Sequence, residues 1–73
     1  MKVASFTYYG ETPDKGREVR LHHNLDGTFT VDIEGMPSLN RTVRDRDEAE
    51  DILRGWWEFS QKDWGASEIE WNE

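Results

Sequence analysis

The stretch Glu18–Glu34, EVRLHHNLDGTFTVDIE, decides how this chain folds. Val19, Leu21 and His23 alternate with Glu18, Arg20 and His22. Past Asn24-Leu25-Asp26-Gly27, Phe29, Val31 and Ile33 alternate with Thr28, Thr30, Asp32 and Glu34. A period of two sends the apolar set to one face of a sheet and the polar set to water. Asp26-Gly27 supplies the positive φ that a tight connection requires. The stretch is a β-hairpin with one dry and one wet face.

Working outward, Lys2–Tyr9 reads as a strand, with Ala4, Phe6 and Tyr8 on one face and Val3, Ser5, Thr7 and Tyr9 on the other. Gly10–Gly16, with Pro13 in a polar middle, is a turn or loop. Downstream, Gly35, Pro37 and Asn40 mark another turn. A short strand follows over about Arg41–Arg44, starting as early as Leu39. Arg41 shares a side with Leu39 and Val43, which places this strand at a sheet edge.

A helix is expected over Arg46–Asp63. Asp45 is its N-cap, and Glu48 stands where a capping box would reach back. Ala49, Ile52, Leu53, Trp56 and Phe59 make the apolar stripe. Glu50 with Arg54 and Glu58 with Lys62 are i,i+4 pairs in the favourable orientation, and Gly65 stops the helix. In the tail, Ser67, Ile69 and Trp71 alternate with Glu68, Glu70 and Asn72, which reads as a last strand. The expected fold class is α+β, in the order β-β-β-(β)-α-β. Residues 1–73 form a single domain, an antiparallel sheet of three to five strands with one α-helix packed on one face.

Composition narrows the function. The chain has 73 residues, a net charge of −7 and no cysteine, which excludes a disulfide framework and thiol chemistry. No apolar run approaches the ~18 residues of a membrane span, and no signal-peptide pattern opens the chain. A cytoplasmic protein is expected. Four Trp, three Phe and two Tyr argue for a packed domain rather than a disordered acidic chain. The charge is uneven. Residues 1–44 carry six basic and six acidic side chains, whereas residues 45–73 carry three basic and ten acidic. At about 100° per residue, Asp47, Asp51 and Glu58 fall within about 40° of one another, opposite the apolar stripe and interrupted only by Arg54. Glu68 and Glu70 form a matching short row at the ~6.6–6.8 Å repeat of a strand face. Such rows attract a Lys- and Arg-rich protein surface. They repel phosphate, which argues against direct binding of nucleic acid. The ordinary explanation stands beside this one: small soluble domains carry net charges of magnitude ~2–8 for solubility alone.

Catalytic chemistry finds little footing. His22 and His23 are adjacent on a strand, so their rings project to opposite faces and do not jointly hold a metal; His23, near the turn, is expected to be partly buried. Asp32 and Glu34 sit on the wet face, with no nucleophile, pocket motif or Gly-rich phosphate loop to join them. No enzyme, metal or cofactor is expected. One helix covers only one face of a sheet, so some of Val3, Tyr9, Trp57, Trp64 and Trp71 should stay exposed. Trp57 and Trp64 are the candidate apolar anchors of an interface rimmed by acids.

In size, acidity and pattern the chain resembles the small acidic inhibitors of phages and mobile elements, including anti-CRISPR proteins. The hairpin Glu18–Glu34 and the acidic helix with Asp47, Asp51 and Glu58 carry the likeness. The resemblance implies a non-catalytic inhibitor that occupies a basic, nucleic-acid-binding surface of an effector in the host cytoplasm, acting as a nucleic-acid mimic. The protein-binding residues are then Asp47, Asp51, Glu58, Glu68 and Glu70, with Trp57 and Trp64. The competing expectation is a structural or self-associating module, a homodimer formed through an edge strand or exposed aromatics.

Overall fold

The computed structural model describes residues 1–10, 16–63 (Asp63 by its backbone alone) and 65–72. The first strand, β1, spans Lys2–Tyr8, and the hairpin is formed by β2 (Arg17–His23) and β3 (Phe29–Ile33). Val19 lies opposite Ile33, Leu21 opposite Val31 and His23 opposite Phe29, while Arg20 faces Asp32 and His22 faces Thr30 across the other side. In the connection, the Asn24 N–H donates to the Thr28 carbonyl at 2.8 Å, and Gly27 takes a φ of 90°. A side chain at Gly27 would be strained in that left-handed region. Asp26 Oδ1 accepts from the Thr28 hydroxyl at 2.6 Å and from its backbone N–H at 3.0 Å. These bonds, the hydroxyl's first, favour the charged carboxylate and hold Asp26 below its ordinary value.

Strand β1 (Lys2–Tyr8) pairs with the other side of β2. With β4 (Arg41–Val43) and β5 (Glu70–Trp71) it completes an antiparallel five-stranded sheet in the order β4-β3-β2-β1-β5. The α+β class and the single helix are as the pattern predicts. Helix α1 (Arg46–Asp63) returns the chain across the sheet, so β5 docks beside β1 rather than beside β4. Strand β4 is an edge, as Arg41 indicated, and both edges are short, which limits pairing with another chain.

Asp45 caps α1: its Oδ1 accepts the Asp47 N–H at 3.1 Å. Among the described residues, no bond runs from Glu48 back to the Asp45 N–H, so only half of the capping box forms. The helix ends before Gly65, whose φ of 71° turns the chain and whose carbonyl accepts the Tyr9 N–H at 3.2 Å. Ala49, Leu53 and Ser60 are fully buried against the sheet. They share a core with Val3, Phe6, Val19, Leu21 and Val31. Burial of each large apolar side chain among these contributes about 1.5–3 kcal/mol.

Four local expectations change. Val3, expected on the face of Ser5, Thr7 and Tyr9 opposite Ala4, is fully buried beside Ala4 in the core. The β1–β2 register shifts between Lys2 and Ala4, and such a shift lets consecutive residues lean to one face. Phe59, expected in the buried stripe, is 46% exposed. Ala49, Leu53 and Ser60 lie within about 40° of one another, whereas Phe59 falls about 100° round from Ser60. His23 is exposed rather than partly buried, its ring stacked on Phe29 at 4.5 Å. The last strand is only Glu70–Trp71. Ser67 instead donates its N–H to the Thr7 carbonyl at 2.8 Å and accepts the Thr7 N–H on its hydroxyl at 3.0 Å. The expected turn Gly10–Gly16 falls largely outside the described residues. No described helix is long and apolar enough to cross a membrane.

Candidate functional site

The two surfaces of the molecule handle charge differently. On the open face of the sheet, cross-strand partners bring Lys2, Glu18, Arg20, His22 and Asp32 together. Lys2 Nζ lies 3.5 Å from Glu18, and Arg20 reaches Glu18 at 3.6 Å and Asp32 at 3.0 Å. His22 Nε2 stands 3.5 Å from the same Asp32 oxygen. Beside this ladder, Thr30 and Thr42 share a hydroxyl hydrogen bond of 2.9 Å, and Asn24 donates to Thr28 and Thr30. The carboxylates at the centre of this face have their countercharges in place.

The outer surface of α1 is built from Asp47, Asp51 and Glu58, all exposed. Among the described residues none of the three enters an ion pair. The predicted Glu50–Arg54 pair forms, at 3.5 Å, and Arg46 Nε also bonds Glu50, at 2.8 Å. The predicted Glu58–Lys62 pair is absent among the described residues. Arg54, the one cation within the acidic row, is drawn away from it: besides Glu50 it lies over the Trp71 ring, 5.5 Å from the centroid. Arg46 and Arg54 thus converge on Glu50, and the row is left without an ion pair among the described residues.

The predicted site residues do not all meet. Glu70 pairs with Ser5, so it projects to the open face of the sheet, on the opposite side of the molecule from Asp47, Asp51 and Glu58. Glu68 is exposed in the segment before β5. Trp57 turns inward: half-buried against the core, it donates its indole N–H to the Ser67 carbonyl at 2.8 Å, which ties the tail to the helix. Trp64 lies outside the described residues. Of the other aromatics expected at the surface, Tyr9 is 44% and Trp71 40% exposed.

Sequence reasoning missed an apolar flank. Ile52, Gly55, Trp56 and Phe59 line an open depression of about 380 Å³ along α1, with Phe59 set edge-on to Trp56 at 6.4 Å. The signal was the angular offset of Ile52 and Phe59 from the buried line Ala49–Leu53–Ser60. Among the described residues no three of His, Asp and Glu gather as metal ligands. No protein-family model, curated protein or solved structure matches the chain.

Proposed function

We propose that this is a non-catalytic binding protein that docks the outer face of α1 on a basic protein surface. The observation that carries the reading is the contrast within one small molecule. Glu18, Asp32 and Glu50 are matched by cations at 2.8–3.6 Å, whereas Asp47, Asp51 and Glu58 stand exposed without them among the described residues. Unmatched fixed charge retains its attraction for an external partner and speeds encounter with it. A partner that uses its basic surface to hold nucleic acid would be blocked by competition, the mode that the likeness to anti-CRISPR inhibitors implies. Glu70 faces the other side and takes no part in the same contact.

The test replaces Asp47, Asp51 and Glu58 by Lys together, with circular dichroism as the check on folding. A partner captured from the native cell by the parent protein should be lost by the variant, and its capture should weaken as salt rises. Equal capture by a folded variant at low and high salt refutes the acidic-face mechanism.

A further inference from the structure

The depression on α1 lies on a seam with its own spacing. Glu48, Ile52, Gly55, Phe59 and Lys62 succeed one another at intervals of four, three, four and three residues. Residues so spaced lie along one side of a helix, and here the apolar members are Ile52 and Phe59, with charged residues at both ends. Gly55 sits at the middle of the seam, inside an 18-residue helix, where glycine is the least favourable residue other than proline. The fold does not demand it: apart from the neighbouring turns of the helix backbone itself, nothing among the described residues lies within 4 Å of the position a Cβ would take. Gly55 therefore leaves a notch between Ile52 and Phe59, floored on the sheet side by half-buried Trp56. Asp51 and Glu58 immediately precede Ile52 and Phe59, on the side of the seam away from the sheet. Charges beside such a seam choose its partner. A second copy would bring two carboxylates and only Lys62 in return against Asp51 and Glu58, whereas a face rich in Lys or Arg would be drawn to them.

We infer that the Ile52–Gly55–Phe59 seam is the docking groove for a cationic amphipathic helix of a partner protein, which seats an aliphatic side chain in the Gly55 notch and sets Lys or Arg against Asp51 and Glu58. The inference rests on the acidic-face reading for its charge and adds the apolar half of the contact.

Two synthetic helical peptides of equal length and charge separate the halves: one of Leu and Lys with the leucines along one face, the other with those leucines replaced by Ala. Calorimetric titration against the whole protein should show the Leu–Lys peptide binding at least about tenfold more tightly than the Lys–Ala peptide. Gly55→Leu, which fills the notch from within and raises helix propensity, should abolish that preference and melt higher than the parent. Equal affinity of the two peptides for the parent overturns the groove while leaving the acidic face intact. A preference that survives Gly55→Leu also overturns it. Failure of both peptides to bind at low salt overturns the groove together with the acidic-face reading.

Discussion

The open face of the sheet and the outer face of the helix are both polar, and they differ in what their charges touch. On the sheet, the strand repeat and antiparallel register place Arg20 opposite Asp32, with Lys2 and Glu18 close by, so these four charges satisfy one another. On the helix, Arg46 and Arg54 both reach Glu50, and the row of Asp47, Asp51 and Glu58 is left to solvent. Net charge alone does not distinguish a surface saturated by its own counterions from one able to recruit others. Geometry does.

The largest effect should come from separating the two faces. Leu53 is fully buried between helix and sheet, and Leu53→Ala should cost about 2–5 kcal/mol in chemical denaturation. Small cores supply about 3–5 kcal/mol, so the variant should lose the helical surface and the sheet together. Survival of the sheet without the helix would mean that the two layers are not one cooperative unit.

Ser60 works in the opposite direction. Its hydroxyl is fully buried on the sheet side of α1, with no hydrogen-bond partner among the described residues. An unmet buried hydroxyl costs about 1–3 kcal/mol, so Ser60→Ala should stabilise the fold by about 1 kcal/mol and leave partner binding unchanged. A destabilised Ser60→Ala protein would show that the hydroxyl is satisfied.

Asp32→Asn sharpens the comparison from the sheet side. It removes the charge facing Arg20 and His22 and should cost up to about 1 kcal/mol, the ordinary range for a partly exposed ion pair, with a smaller cost at high salt. Its effect on binding to a basic partner should be negligible. Loss of binding comparable to that of the helix variants would place the interface on the wrong face.

The smallest effect concerns acid. Asp26 is held below the ordinary value of an aspartate by Thr28, so its contribution to stability is fully present above the unfolded value. It is lost as pH falls through the depressed folded value. Asp26→Asn should remove part of the decline in stability below about pH 4, a window set by the carboxylate reference range. An unchanged acid limb would show that the Thr28 bonds do not hold in solution.

Much of this was legible in the sequence, because the hairpin and the helix have strong periods. The alternation over Glu18–Glu34 yields the observed register, and Asp45 with Gly65 brackets the helix. Val3 escaped because a register shift has no signature in an alternating pattern. The site was less legible. The acidic row and the Glu50–Arg54 pair follow from helical spacing, but the placing of Arg54 over Trp71 depends on where β5 docks, which strand periodicity does not specify. The separation of Glu70 from the helix row has the same origin. Phe59 reads as core from its spacing, but it lies at the border of a stripe of five apolar residues, where Ile52 is still half-buried against the core and Phe59 is not.

The most direct test of the charge asymmetry is the salt dependence of affinity for the Lys–Ala peptide. One protein has Asp47 and Asp51 changed to Asn and Glu58 to Gln; a second has Asp32 changed to Asn and Glu18 to Gln. The helix variant should lose most of the parent's affinity and most of its salt slope, and the sheet variant should keep both. Equal losses from the two faces, or none from either, would contradict the account.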